Sequence, residues 1–163
     1  MKEKVNNIIK MVMRTERFRF SGGVKLTSAV VSGVLVFVVV DMWSVGVVQG
    51  LVASAVAVAM VASVLLCMPW RLVVDAQEIR VVHPIGQTKI LRSEIVEIRA
   101  IGREDIMGSL RVFGSGGYFG WYGIFESFKI GRYRMYSGDR ESLYLVRTEQ
   151  RSYVISSRNG LEI

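Results

Sequence analysis

The residue types that carry out chemistry are sparse in this 163-residue chain. Its one histidine, His83, precedes Pro84 in an apparent turn, and its one cysteine, Cys67, lies in a long apolar run. No Cys/His nucleophile pair, histidine triad or zinc set can be assembled from them. The acidic pairs Glu94 with Glu97, Glu104 with Asp105, and Asp139 with Glu141 have the spacing of ordinary solvated charge. The sequence therefore predicts no catalytic residues, no metal ligands and no cofactor, and a protein that is not an enzyme. A phosphate-cradling loop is the next candidate, because Phe113 to Tyr136 interleaves six glycines with nine of the chain's aromatic residues. No Lys-Ser or Lys-Thr follows at the required spacing, and no strand-to-helix dinucleotide unit surrounds the stretch. Glycines beside aromatic rings read instead as tight bends and close backbone approach in a curved sheet, with the rings filling its core. Close to a membrane, such a loop could also dip into the interface, where Trp and Tyr are at home.

What remains is binding chemistry. Lys129, Arg132, Arg134 and Arg140 cluster in sequence beside Trp121 and Tyr122, and Arg132 and Arg134 share a strand face by period two. These six residues are the candidate site for an anionic lipid headgroup or a partner, and solvated surface charge is the plainer account of the same cations.

The elements that would position them follow from where the charges fall. The formal net charge is +7, yet between Leu26 and Trp70 the only charged side chain is Asp41. Two runs, about residues 24–43 and 48–69, are each long enough to cross a hydrocarbon layer of roughly 30 Å at 1.5 Å per helical residue. Ser44, Gly46, Gln49 and Gly50, between Trp43 and Leu51, mark the turn where the two runs meet. Asp41 and Trp43 fall at the far end of the first run, where headgroup water is within reach. The first 25 residues carry seven Lys and Arg against two Glu, Arg71 follows the second run, and the connection carries no basic residue. Both termini are thus expected on the cytoplasmic side. The leading segment, 1–23, is basic and amphipathic: Val5, Ile8, Ile9, Val12 and Met13 share one face of a helix expected to run to Phe20. It would lie on the inner leaflet or pack on the polar domain.

From residue 71 to 163 the texture changes to short β-rich runs separated by turn residues. Strands are expected at 72–74, 79–82, 88–91, 95–101, 110–113, 132–136, 143–147 and 153–155, joined as hairpins in a meander. Leu143 and Leu145 fall on one strand face and Tyr144 and Val146 on the other, so that strand should be covered on both sides. This domain carries a net charge of only +3; most of the basic excess sits beside the membrane and needs no nucleic acid to explain it.

Three blocks carry a resemblance: Arg111-Val-Phe-Gly-Ser-Gly-Gly-Tyr-Phe-Gly-Trp-Tyr-Gly, Gly131-Arg-Tyr-Arg-Met-Tyr, and the pair Leu143-Tyr-Leu-Val-Arg-Thr with Ser152-Tyr-Val-Ile-Ser. Behind a two-helix anchor, they resemble the bacterial PH-like (pleckstrin-homology-like) membrane proteins, over about residues 71–157. The resemblance implies a curved antiparallel sheet folded into a split barrel and closed by a C-terminal helix. Only six residues follow Ser157, so that helix should be short or missing. The expected protein is a transmembrane hairpin plus an all-β PH-like domain in a bacterial inner membrane, with both termini cytoplasmic. It would be a non-enzymatic module that recruits an unnamed protein partner or its own copies, the alternative being recognition of anionic lipid headgroups.

Overall fold

The computed structural model describes residues 13–161. Strand β1 (Arg14–Arg17) leads into α1 (Gly22–Val45) and α2 (Val47–Cys67). Eight strands follow: β2 (Arg71–Val74), β3 (Glu78–Val82), β4 (Gln87–Leu91), β5 (Ile95–Ile101), β6 (Leu110–Gly116), β7 (Trp121–Ser127), β8 (Gly131–Ser137) and β9 (Leu143–Thr148), with β10 (Ser152–Ser156) completing the set to nine after the helices.

Ser21 caps α1, its hydroxyl accepting from the Val24 amide at 3.3 Å. At 24 and 21 residues the helices are about 36 and 31 Å long, enough to cross a bilayer core. Their side chains are mostly exposed, Phe37 at 71% and Val48 at 70% for example, so they are not core helices of the β domain. That surface calls for lipid. The expected four-residue turn between the spans contracts to Gly46 alone. Helix α2 resumes at Val47 because Gly50 has no side chain: a Cβ there would meet the Trp43 ring at 2.5 Å. The indole packs across that gap and donates to the Ser54 hydroxyl at 3.3 Å.

The leading segment departs from the expected helix. Residues 1–12 lie outside the described part of the chain, but Arg14–Arg17 is a strand, antiparallel to β2 with Arg14 opposite Val74 and Arg17 opposite Arg71. The Phe18 amide extends the pairing by donating to the Trp70 carbonyl. A sheet edge offers a row of unpaired backbone groups, and the chain entering the helical hairpin lies beside the chain leaving it. The hairpin is thus an insertion between two paired strands, clamped at its base.

The strands form two sheets, β1-β2-β3-β4 and β5-β9-β10-β8-β7-β6. The first is a meander. The second is not: β10 lies parallel to β8 with Ser152 opposite Tyr133, and antiparallel to β9. Burial explains the order. Val154 and Ile155 on opposite faces of β10 are both fully buried, as are Leu145 and Val146 on β9, so these strands take the middle. The sheets face each other without joining, which leaves the PH-like arrangement open. Leu72, Val74, Ile79, Val81 and Ile90 of the first meet Tyr122, Tyr136, Val146 and Ile155 of the second. Phe18 and, from the end of α2, Val64 and Met68 belong to the same cluster.

No helix follows β10 among the described residues. The tail is pinned instead: Arg14 and Arg92 donate to the carbonyls of Gly160 and Leu161, and the Glu16 carboxylate accepts from the Arg158 amide and the Asn159 side chain, both at 3.0 Å. This carries Leu161, fully buried, into the inter-sheet core.

The glycine-aromatic stretch contains a strand, β7, that the expected strands omit, and the close backbone approach expected there lies between β6 and β7. Gly114 and Gly123 stand opposite each other at φ +111° and +122°, and a Cβ on either would lie 2.2 Å from the facing carbonyl oxygen. Tyr122, Phe125, Tyr133 and Tyr136 fill core space as expected, whereas Phe113 and Phe128 are exposed.

Candidate functional site

The β6–β7 turn, Gly117 to Gly120, lies along α1 rather than out in solvent. The Phe119 amide donates to the Ser28 hydroxyl at 2.9 Å, and the Tyr118 and Ser32 hydroxyls are 3.2 Å apart. Phe119 is held at φ +52°, a conformation costly for an aromatic residue and sustained here by that contact. Ser32 is ten residues into α1, about 15 Å along it, so the turn climbs the helix into the depth of its apolar run. Two further contacts fix the domain to α2. The Tyr122 hydroxyl donates to the Val64 carbonyl at 3.2 Å, and His83 Nδ1 donates to the Cys67 carbonyl at 3.1 Å. Burial pushes the Tyr122 phenol up to about 12 and lowers the His83 pKa, so both rings stay neutral at the helix base.

Beside this junction, on the face of the six-stranded sheet turned away from the first sheet, is a cavity of about 330 Å³. Phe125, Tyr133 and Met135 form its apolar base, and Trp121 and Arg140 stand at one side. The Arg140 guanidinium carbon lies 3.5 Å from the centre of the Trp121 ring, a cation–π stack. Arg111 lines the same cavity, its side chain close to Gly116, where a Cβ would come within 3.4 Å of the guanidinium. The Tyr133 hydroxyl donates to Ser109 at 2.9 Å, and burial raises its pKa. Among the described residues, no carboxylate lines the cavity. Burial, and after it the nearby Arg103 charge, lower the Arg140 pKa.

Of the six residues singled out in the sequence, the structure brings only Arg140 and Trp121 together. Tyr122, next to Trp121, points to the opposite face and into the inter-sheet core. Arg132 and Arg134 do share a face, but β8 turns Tyr133 and Met135 to the cavity and those two arginines away from it. They border a separate groove with Arg151, and Arg132 stands opposite Glu126. Lys129 lies in the β7–β8 turn, bonded to the Glu104 carbonyl and 3.6 Å from Asp105. Arg111, Ser109 and Tyr133 were missed. Their arrival depends on the pairing of β6 with β7 and on the bulge between Arg111 and Phe113, for which nothing local in the sequence is a signal. Among the described residues, no three His, Cys, Asp or Glu side chains gather as a metal site.

Residues 70–163 match the family model described as a bacterial PH domain. No curated protein and no solved structure matches the chain.

Proposed function

From the premise that this chain belongs to the bacterial PH domain family, we propose that it is a non-enzymatic, membrane-anchored binding module that gathers protein partners or further copies of itself at the cytoplasmic face of a bacterial inner membrane. The observation that carries this reading is the clamp. Because β1 and β2 pair across the base of the helical hairpin, the β domain is held at one height and one orientation to the bilayer instead of trailing on a linker. A domain held in this way presents the same surface to every neighbour in the membrane plane, which lowers the ordering cost of assembly. The basic flanks at both ends of the hairpin support a cytoplasmic position for the domain by the positive-inside rule. The surface offered is β6, an edge strand of the larger sheet with Leu110, Val112 and Phe113 exposed and its outer backbone groups unpaired. Strand addition to such an edge combines main-chain hydrogen bonds with alternate side-chain contacts.

The test is a photo-reactive amino acid at Phe113 in the full chain, activated in native membranes, with adducts identified by mass spectrometry. A discrete protein adduct, lost when Val112→Pro blocks the edge, supports the reading. Adducts to lipid alone, from a chain that sediments as a monomer, overturn it.

A further inference from the structure

The cavity beneath Trp121 contains charge without a counter-charge. Arg140 is half-buried, and its Nε is buried and finds no acceptor among the described residues. Neither Arg140 nor Arg111 takes part in an ion pair among the described residues, whereas Arg80, Arg99, Arg147 and Lys129 all do. Desolvating a guanidinium is costly unless an anion shares the site, and one planar cation stacked on an indole already has its donor edge aimed. With Arg111 across the opening, the cavity offers two guanidiniums to one oxyanion, while the Tyr133 hydroxyl is already donated to Ser109 and the Ser109 hydroxyl to the Ile106 carbonyl.

Its height indicates where that anion comes from. The Ser21 amide donates to the Gly138 carbonyl at 3.1 Å, which sets the loop carrying Arg140 level with the cap of α1. The apolar run begins at Leu26, five residues or about 7 Å further along. A headgroup layer is about 5–7 Å deep on each side of the hydrocarbon. A Cβ placed on Gly117 would be 3.7 Å from the Trp121 ring and 4.0 Å from Thr27, so only the Gly117 backbone separates the cavity's aromatic wall from the first turns of the helix.

We propose that the cavity bounded by Arg111, Trp121 and Arg140 binds a phosphate oxyanion, supplied by the headgroup of a lipid in the leaflet beside α1. Forked, charge-assisted hydrogen bonds from the two guanidiniums hold the phosphate, and the site is separate from the β6 edge at which partners would add. A lipid seated there would ride with the domain and leave the edge free.

The experiment uses the full chain in uncharged maltoside micelles. Binding of inorganic phosphate and of dihexanoyl phosphatidylglycerol is measured by calorimetry and by Trp fluorescence. The expected result is saturable one-to-one binding of the lipid, tighter than that of inorganic phosphate. Arg140→Gln and Arg111→Gln should each weaken it about tenfold or more, as expected for loss of a charge-assisted bond. Arg140→Lys, which keeps the charge but loses the fork and the planar stack, should fall between. Arg132→Gln combined with Arg134→Gln should stay within about twofold of the parent, since solvated charges act weakly. Arg111 is exposed, so Arg111→Gln carries the comparison if Arg140→Gln melts early. Binding of neither ligand, binding that is equal in all variants, or binding of inorganic phosphate without the lipid would each overturn the proposal.

Discussion

Phe18→Ala tests whether residues before the membrane hairpin complete the core of a domain whose family match begins only at residue 70. The ring is 8% exposed and lies in the cluster formed by Leu72, Val74, Tyr136 and Ile155. Truncation returns roughly 150 Å² of apolar surface, about 4 kcal/mol at ~25 cal/mol per Å². Measured Phe→Ala losses in cores span about 3–5 kcal/mol, because the surroundings only partly collapse into the space left. Against the 5–15 kcal/mol or so typical of a whole domain, this is a large share. A domain of this size loses about 4–8 °C per kcal/mol, so the midpoint should fall by roughly 15 °C or more. The assay is thermal melting of the full chain in detergent, followed by near-ultraviolet circular dichroism. The matched control is Phe37→Ala, whose ring is 71% exposed on α1 and should leave the β-domain transition unmoved. A fall of less than about 4 °C in Phe18→Ala, or equal falls in both variants, would refute the assignment of Phe18 to the core. A chain cut at Arg71 loses Phe18 together with β1, so the 71–163 fragment is not the unit to assay.

Three further outcomes follow from other parts of the fold. Gly123→Ala places a Cβ 2.2 Å from the Phe113 carbonyl oxygen at φ +122°, and should cost about 3 kcal/mol or more; a melting point within about 3 °C of the parent would contradict the close approach of β6 and β7. His83 is held neutral by burial, with its pKa below the ordinary 6.5, so its share of stability is complete above about pH 6.5 and is lost as the pH falls and the unfolded state takes up the proton. Melting of parent and His83→Gln from pH 8 to 5 should converge, and a constant difference would contradict this. Glu16→Ala removes both acceptors of the tail and should cost about 1 kcal/mol or more, seen as faster hydrogen exchange of the Arg158 amide; unchanged exchange would show the tail to be held without it.

The helices were legible because their signal is local. A run with one charged residue in 45 can be satisfied only by lipid or a deep core, and the observed helices start and stop within two residues of the expected spans. Eight strands were legible for a similar reason, since short β-rich runs between turn residues are a local signal, clearest as alternating burial in β3 and as burial of both faces in β9. β7 was not, because its glycines resemble bends until Gly114 is seen opposite Gly123. β1 was not, because a basic segment reads as a membrane-surface helix until the free edge of β2 gives it a partner. The candidate cations were chosen by nearness in sequence, and β8 then divided them, turning Tyr133 toward the cavity and Arg132 and Arg134 away.

Composition and periodicity alone determined two long apolar helices and a β domain behind them. These properties depend on which groups must leave water and at what repeat, and both are present before any distant contact forms. Tertiary structure decided the rest: that Arg14–Arg17 adds a strand to the first sheet, that Leu161 enters the inter-sheet core, and that Arg111, Trp121 and Arg140 line one cavity. Each of these is a meeting of segments tens of residues apart, settled by which unpaired edge, unfilled space or uncompensated charge was left once the local elements had formed.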